Sequence, residues 1–382
     1  MGQISTDGNP GRPNVIMPHV TPKTPDFRKV LIVKLSAMGD ILHALPVLSY
    51  FRRVAPLMKI HWAMDASFAE LSEGFPENVK VVPIPLKEWK KKGVSSETWR
   101  EASGVVRWLR RQRYGVAIDI QGNLKSGLAT RLSGAALRIG FDRAGVREAP
   151  NLLFTNRKVS LLQEDRHVSR KYLRVASNFL NEPFDEPDLS SGLHVSAGKR
   201  NAAAALVSEL LGDAFPRMAV HPGSTWPTKR MPSAFWADAI VSLREKHPGL
   251  GTLLSWGNEA ERLLAFEIRK MAGGAVELLP GLSIMQLAAV FRECGFVMAP
   301  DTGPLHLAAA AGAATVSVFR ATDGLRNAPV GPSHRFLQAW MDCTGCLRKK
   351  CEHDRMCRES VSPEAAASLM AELMKGPYSP EG

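Results

Sequence analysis

The sequence predicts an α/β protein of two domains, each built on a parallel sheet covered by helices. Short apolar runs alternate with stretches of helical spacing along most of the chain, which is typical of βαβ units. The chain has 382 residues, more than one ordinary hydrophobic core accommodates. A Pro- and acid-rich stretch at 181–191 is a candidate linker between the two halves.

The first half begins with a short apolar run at 29–34, which predicts a strand. Similar runs predict further strands at 59–64, 79–84 and 116–120, and helical spacing predicts helices at 41–54, 97–113 and 158–174. Strands separated by helices of this length pair in parallel, so we expect one parallel sheet in this half.

The second half repeats this pattern. Strands are predicted at 217–221, 252–256, 276–279, 295–299 and 315–319, and helices at 233–246, 259–271, 284–292 and 305–311. Ser362 is the predicted N-cap of a final helix, with Pro363 at its first position and Gly376 beyond its end. Two α/β domains of similar size predict a cleft in which strand ends of both domains face a ligand.

Composition and charge restrict the class of protein. No apolar run approaches about 18 residues, so no membrane-spanning helix is expected. Residues 1–26 lack an apolar run, which predicts a disordered leader, excludes a secretory signal and favours a cytosolic location. Residues 87–174 contain 20 Lys or Arg and 8 Asp or Glu, so this region carries the whole net charge of +12. It favours an anionic partner, although a solvated basic face is an alternative.

Residues 299–306 (APDTGPLH) combine several groups suited to phosphate binding. They join a predicted strand to a predicted helix, whose N-terminal N–H groups favour an anion through hydrogen bonds and the helix dipole. Asp301 and His306 add titratable groups beside Thr302 and Gly303. The alternative is that Asp301 and Thr302 only cap the helix.

Two other loops of the second half end predicted strands with polar groups. In 221–230 (HPGSTWPTKR), the hydroxyls of Ser224 and Thr225 with the charge of Lys229 suit a diphosphate. In 255–262 (SWGNEAER), Glu259 can accept hydrogen bonds from ribose hydroxyls. Three such loops favour a nucleotide ligand, but neither a G-x-G-x-x-G turn nor a Walker A run is present.

The loop after the first predicted strand is the main candidate of the first half. Gly39 permits a sharp turn or a close backbone approach, and Asp40 stands at the start of the next helix. A simple N-cap is the alternative role for Asp40.

Four of the five cysteines lie close together, at Cys343, Cys346, Cys351 and Cys357. Four thiols can hold a zinc ion or an iron–sulfur cluster, and His353 is a possible extra ligand. The spacing matches no common zinc module, and a cytosolic location argues against disulfides. Cys294 stands alone in an apolar segment, which predicts a buried, inert thiol.

Taken in order, five motifs resemble the lipopolysaccharide heptosyltransferases of glycosyltransferase family 9. They are SAMGDILHALP, DIQGNLKSGLATRL, HPGSTWPTKR, SWGNEAER and PDTGPLHLAAAAG. The first half is most similar to heptosyltransferase I, through Gln121 with Lys125, the Arg147–Glu148 pair, and His167 with Arg170. The resemblance covers 29–375, and the cysteine cluster resembles the tails of heptosyltransferase II-like members.

The resemblance implies a GT-B fold, with two Rossmann-like α/β/α domains facing a central cleft. The acceptor domain is expected at 27–185, the nucleotide-sugar domain at 186–360, and a C-terminal helix and tail at 361–382. The implied reaction is inverting transfer of heptose from ADP-heptose to a Kdo residue of the lipopolysaccharide inner core. No metal or other cofactor is required for it.

The resemblance also implies roles for individual residues. Asp40 matches the general base, and Glu259, or Glu261 in its place, matches a nucleotide-ribose position. The other donor-side candidates are Ser224, Thr225, Lys229, Asp301, Thr302, Gly303 and His306, the last as a support of the turn. The acceptor-side candidates are Ser36, Met38, Gly39, Lys125, Arg131, Arg143 and Arg147.

The basic region thereby gains a partner, an anionic Kdo–lipid A glycolipid. Residues 90–92 (KKK) add contact with an anionic leaflet, so we expect the protein to be cytoplasmic and peripheral to the inner membrane. We also expect a monomer. One alternative is a heptosyltransferase II-like or other family 9 enzyme with a different acceptor or sugar. A nucleic-acid-binding protein is another, but the chain lacks a reader module. A nucleotide-sugar epimerase or dehydrogenase would need the missing Gly-rich turn.

Overall fold

The computed structural model describes residues 26–185 and 192–376. Residues 1–25 of the predicted leader, 186–191 of the predicted linker and 377–382 lie outside the described residues. Asp26, which the sequence assigned to the leader, begins the first strand.

Two six-stranded sheets form the framework, and all their strand pairs are parallel. The first contains β1 (Asp26–Val33), β2 (Lys59–Asp65), β3 (Val79–Ile84), β4 (Tyr114–Asp119), β5 (Leu137–Phe141) and β6 (Arg157–Val159). The second contains β7 (Arg217–Val220), β8 (Gly251–Leu254), β9 (Val276–Leu278), β10 (Phe296–Pro300), β11 (Ala314–Phe319) and β12 (His334–Gln338). Their orders, β3-β2-β1-β4-β5-β6 and β12-β11-β10-β7-β8-β9, are both the 3-2-1-4-5-6 order of dinucleotide-binding folds.

Helices connect the strands and cover the sheets. The first domain has α1 (Met38–Leu42), α2 (Leu45–Val54), α3 (Leu86–Lys92), α4 (Ser96–Arg111), α5 (Leu124–Leu132) and α6 (Val168–Ser177). The second has α7 (Ala197–Leu211), α8 (Ser233–Lys246), α9 (Glu259–Ala272), α10 (Ile284–Cys294), α11 (Gly303–Ala310), α12 (Gly324–Asn327), α13 (Asp354–Glu359) and α14 (Pro363–Met374). Short 3₁₀ helices lie at Ala66–Gly74, Ala149–Leu153 and Pro227–Lys229.

The central strands are buried on both faces, which explains their continuous apolar sequences. Every residue of β4, β10 and β11 is buried. The architecture is the GT-B fold, with two Rossmann-like domains, and it confirms the predicted fold class. The exact domain boundaries stay a prediction. No helix in the described part of the chain is long and apolar enough to cross a bilayer.

Two predictions of helix extent are wrong. The helix predicted at 41–54 is divided into α1 and α2, because Pro46 lies in the first turn of α2 and has no N–H to continue a helix. The helix predicted at 158–174 begins only at Val168. Before it, β6 pairs with β5, and the carboxylate of Asp165 accepts the N–H of Leu162 at 2.9 Å in a turn.

The final helix α14 follows the predicted cap, since the Ser362 side chain accepts the N–H of Ala365 and Pro363 comes first. Its buried side chains, Ala366, Ala367, Met370 and Leu373, belong to the core of the second domain. The helix therefore packs on the second domain and extends its core.

The half-buried Glu70 carboxylate connects the two domains away from the cleft. Glu70, in the first domain, accepts the backbone N–H groups of Ile284 and Met285 at 3.0 Å each and contacts the Ser283 hydroxyl. A carboxylate is stabilised at a helix N-terminus by free N–H groups and the helix dipole. This contact fixes α10 against the first domain.

Candidate active site between the two domains

The candidate site lies where the carboxyl ends of the central strands β1 and β10 approach each other. Helix α1 follows β1, helix α11 follows β10, and the two helices pack together across the domain boundary. Ligands of open α/β sheets bind at the carboxyl ends of the strands. The loops predicted from SAMGD and PDTGPLH are therefore brought together.

Two glycines permit this close approach. A Cβ atom on Gly39 would lie 2.8 Å from Cδ2 of His306, and one on Gly303 would overlap the side chain of Met38. Larger residues at either position would push α1 and α11 apart. Met38 and Gly39, predicted to bind substrate, thus lie against the predicted donor turn.

Asp40 does not cap its helix. The N-cap of α1 is Ala37, and no side chain caps it. The Asp40 carboxylate instead accepts a hydrogen bond from the Tyr172 hydroxyl at 3.2 Å, and its side chain is 33% exposed. The carboxylate is therefore fixed on one side and open to a substrate on the other.

A buried lysine supports this arrangement. Lys34 Nζ donates to the Tyr172 hydroxyl at 2.7 Å and lies 3.8 Å from the Asp40 carboxylate. Burial lowers the pKa of Lys34, and the nearby Asp40 charge opposes that effect. Burial also raises the pKa of Tyr172, as does its contact with Asp40. Neither residue was predicted from the sequence, although a lysine at the end of an apolar strand is a recognisable signal.

Asp301 does not cap its helix either. Thr302 is the N-cap of α11 and makes no side-chain cap hydrogen bond. The buried Asp301 carboxylate accepts a hydrogen bond from Lys229 Nζ at 2.7 Å and lies 3.3 Å from Nε2 of His306. Burial raises the pKa of Asp301, but the hydrogen bond to His306 and the charge of Lys229 outweigh it and hold the pKa below its usual range. The capping alternative is therefore wrong for Asp301 and Thr302.

The loop at 221–230 reaches the same place through Lys229. Ser224 is buried and its carbonyl accepts a hydrogen bond from Arg230 Nε at 2.5 Å, whereas Thr225 is exposed. Lys229 also lies over the Trp226 ring, 4.8 Å from its centroid. Lys229 thus joins two of the three predicted donor-binding loops, 221–230 and 299–306.

The third loop favours Glu261 over Glu259. Glu259 is 65% exposed and pairs with Arg262 at 2.7 Å. Glu261 folds back to accept the N–H of Gly257 at 2.8 Å, and its carboxyl group covers Gly223, where a Cβ atom would overlap it. Glu261 therefore contacts both the 221–230 loop and its own loop.

The acceptor-side residues are only partly brought together. The backbone N–H groups of Leu35 and Ser36 donate to Oε1 of Gln121, which ties the loop after β1 to the loop after β4. Arg147 is close enough for its charge to lower the pKa of Lys34, after the larger effect of burial. Lys125, Arg131 and Arg143 are exposed and make no contact with the Asp40 network in the part of the chain described.

Arg326 is a third site residue that was not predicted from the sequence. It lies on α12 of the second domain, yet its positive charge acts on Lys34 and Tyr172 of the first. Arg147 acts on the same two groups, and the combined positive charge favours an anionic ligand near Asp40.

A cavity of about 80 Å³ beside the site is lined by four histidines, His43, His167, His306 and His334. The rings of His43 and His306 are 4.1 Å apart. Burial lowers the pKa of His43 well below its usual value, and that of His167 and His334 to about 4. His167 accepts the N–H of Ser169 at Nδ1, so its Nε2 donates to the carbonyl of Ala328.

The five cysteines are free thiols. Cys294 is buried on α10, as predicted, and burial raises its pKa to about 12. Within 26–185 and 192–376, no three His, Cys, Asp or Glu side chains stand in a metal-binding arrangement. Cys343, Cys346, Cys351 and Cys357 nevertheless line one cavity, outside the interdomain cleft.

Replacing His167 should reduce the loss of stability in acid. The pKa of His167 is about 4 in the folded protein and about 6.5 for an unfolded histidine, so the unfolded state binds more protons between these values. The wild-type protein should lose up to about 3 kcal/mol from this residue as the pH falls through that range. Urea unfolding of His167→Gln should lack this contribution, and His194→Gln, at an exposed position, should keep it. Parallel profiles for wild type and His167→Gln would contradict the assignment.

Comparison with known proteins agrees with this architecture. A family model described as glycosyltransferase family 9 (heptosyltransferase) matches residues 104–356. Lipopolysaccharide heptosyltransferase 1 of Pseudomonas aeruginosa is 29% identical over 370 residues, which cover 91% of this chain and 99% of the relative. The enzyme of the same name from Escherichia coli K12 is 30% identical over 77% of this chain and 88% of the relative. The structure of E. coli heptosyltransferase WaaC with ADP superposes with a TM-score of 0.71 at 26% identity, over 90% of this chain and 99% of that one. The chain therefore belongs to glycosyltransferase family 9, the heptosyltransferases, and is a glycosyltransferase.

Proposed function

We propose that this enzyme transfers heptose from ADP-heptose to a Kdo residue of the lipopolysaccharide inner core, with inversion at the anomeric carbon. The names of the relatives support the lipopolysaccharide acceptor, and E. coli WaaC has been solved with ADP and with ADP-2-deoxy-2-fluoro heptose. One observation carries the proposal: the partly exposed Asp40 carboxylate lies across the cleft from the Lys229–Asp301 pair.

Asp40 acts as the general base. It takes the proton of the acceptor hydroxyl while that oxygen forms a bond to the anomeric carbon of the donor. The bond from this carbon to the diphosphate oxygen breaks on the opposite face, so the configuration inverts and ADP leaves with the bonding electron pair. The hydrogen bond from Tyr172 orients the carboxylate, and Lys34 holds Tyr172 in place.

The second domain binds the donor and stabilises the leaving group. Ser224, Thr225 and Lys229 contact the diphosphate, together with the N–H groups of Thr302 and Gly303 at the start of α11. Charge grows on ADP as the bond breaks, and these groups stabilise it there. Asp301 contacts the sugar, and His306 positions Asp301 without transferring a proton.

Replacing Asp40 should reduce turnover without reducing donor affinity. Asp40→Asn keeps the shape and the contact with Tyr172 but removes the base, so kcat should fall by about 10²- to 10⁴-fold. The dissociation constant of ADP, measured by calorimetry, should change less than about twofold. The control Asp238→Asn, on an exposed part of α8, should retain wild-type kcat. Near-normal turnover of Asp40→Asn would exclude Asp40 as the base.

Glu261 binds the nucleotide ribose in place of Glu259. Its carboxyl group lies against Gly223 and the Gly257 backbone, beside the diphosphate loop, whereas Glu259 is occupied by Arg262. A carboxylate accepts hydrogen bonds from two ribose hydroxyls, so its loss removes binding common to the ground and transition states.

These two glutamates provide a matched pair of variants. Glu261→Gln should raise KM for ADP-heptose about tenfold, as expected for the loss of a charge-assisted hydrogen bond, and leave kcat nearly unchanged. Glu259→Gln, two residues away on the same helix, should leave both constants near wild type. A larger effect of Glu259→Gln on KM would reverse the assignment.

The acceptor binds on the first domain, in the field of its basic residues. Arg147, together with Arg326 across the cleft, is suited to the carboxylate of Kdo, since both charges act at the Asp40 network. Lys125, Arg131 and Arg143 are exposed and suit the phosphates of a lipid A moiety. Ser36, Met38 and Gly39 border the sugar.

The enzyme works at the cytoplasmic face of the inner membrane, through α3 and the start of α4. Lys92 is already paired with Glu97 and Glu101, at 3.0 and 2.9 Å, so Lys90 and Lys91 supply the available charge. Val94 and Trp99 are 93% and 69% exposed beside them. A basic patch with exposed apolar side chains suits an anionic bilayer.

Removing this charge should weaken binding to anionic vesicles. The double variant Lys90→Ser/Lys91→Ser should bind phosphatidylglycerol-containing vesicles about 30-fold more weakly at low salt, since each basic side chain contributes about 1 kcal/mol. Lys270→Ser/Lys375→Ser removes the same charge from the second domain and should bind like wild type. Equal binding by all three proteins in a sedimentation assay would exclude this face.

A further inference from the structure

The segment 340–360, between β12 and α14, has no hydrophobic core of its own. None of its 21 side chains is buried, and its regular structure is limited to the six residues of α13. Several apolar side chains here face solvent, including Trp340, Leu347 and Met356. Packing alone does not stabilise a segment of this kind, and small units that lack a core are commonly held by disulfides or metals.

The four cysteines of this segment converge on one small cavity. Cys343, Cys346, Cys351 and Cys357 line the same cavity of about 20 Å³, and all four are free thiols. A space of this size holds one water-sized body. Four thiols around a space of this size suit a single tetrahedral ion.

A buried cation borders the same cavity with an unmet donor. Arg320 is 2% exposed, and its Nε has no hydrogen-bond partner among the residues that the structure describes. Its terminal nitrogens donate to the carbonyl of Arg230 and to Asp354. A buried guanidinium with a free N–H requires a further anionic or acceptor group beside it.

We propose that these four cysteines bind one divalent metal ion, Zn²⁺ or Fe²⁺, in a tetrahedral thiolate site. Binding forms four metal–sulfur bonds and releases the four thiol protons to solvent, without oxidation or reduction. The resulting tetrathiolate carries a net charge of −2, which complements Arg320. The four thiols do not stand at coordinating positions in this structure, so the segment 340–360 closes around the ion when the metal binds. Because none of the segment's own side chains is buried, none has to leave a hydrophobic core for that movement.

The site stabilises the loop that carries Lys229, a consequence that rests on the proposed function. Thr228 donates to the carbonyl of Arg348 at 2.6 Å, and Lys349 lies 5.0 Å from the ring centroid of Trp226. Arg320 holds the carbonyl of Arg230 from below. The metal-binding segment therefore supports the donor loop 221–230 from behind.

Metal analysis of the purified full-length chain tests the site directly. Mass spectrometry of protein from medium containing zinc and iron should find about one equivalent of metal per chain, and the identity of the metal distinguishes Zn²⁺ from Fe²⁺. Substitution with Co²⁺ should produce the thiolate charge-transfer absorption of a tetrahedral site. Cys351→Ser/Cys357→Ser should lose the metal, whereas Cys294→Ala, at the buried thiol of α10, should retain it.

Three results would overturn the proposal. One is the absence of stoichiometric metal both after purification and after anaerobic reconstitution with Zn²⁺ or Fe²⁺. Another is full metal retention by Cys351→Ser/Cys357→Ser, and the third is metal loss in His353→Gln, which would replace the tetrathiolate by a site that includes the imidazole.

Kinetics test the supporting role separately. Removal of the metal should raise KM for ADP-heptose several-fold and speed proteolysis within 340–360. Unchanged KM in a protein that loses its metal would exclude the supporting role and leave the site intact. Absence of turnover with every nucleotide-sugar, in a protein that contains the metal, would contradict the proposed function alone.

Discussion

The close approach of α1 to α11 is the constraint on which the rest of the active site depends. These helices belong to different domains, and they meet because Gly39 leaves room for the His306 side chain and Gly303 for that of Met38. Each helix follows the central strand of its own sheet, so the contact brings two strand ends to one cleft. Glu70 at the N-terminus of α10 gives a second link between the domains.

The two sides of the cleft differ in how their carboxylates are paired and exposed. On the second domain, Lys229 neutralises the buried Asp301 carboxylate, and Asp301 in turn contacts His306. On the first, the Asp40 carboxylate accepts a hydrogen bond from the Tyr172 hydroxyl, lies 3.8 Å from the Lys34 ammonium group and remains partly exposed. A carboxylate that is oriented and accessible to a ligand suits proton abstraction, whereas the buried one, held at 2.7 Å by Lys229, suits binding.

Sequence reasoning located the loops better than it located the partners within them. The five motifs lie at strand ends, and SAMGD and PDTGPLH meet in the cleft. The sequence could not show whether Glu259 or Glu261 faces the nucleotide site. Residues two apart on a helix point in different directions, and the sequence does not tell which direction faces the cleft. Only the fold directs Glu261 towards Gly223 while Glu259 pairs with Arg262. Lys34 and Tyr172 were missed because 138 residues separate them.

The sequence by itself determined the α/β class, the alternation of most strands and helices, and the family, because these depend on local periodicity and on residues close along the chain. It misjudged 41–54 and 158–174, where a proline and a turn held by the buried Asp165 override helical spacing. Only the tertiary structure decided which side chains meet. It brings the charges of Arg147 and Arg326 to act on Lys34, pairs Lys229 with Asp301, and places four cysteines around one cavity. Such contacts join residues from distant elements, and their positions are set by packing of whole sheets and helices.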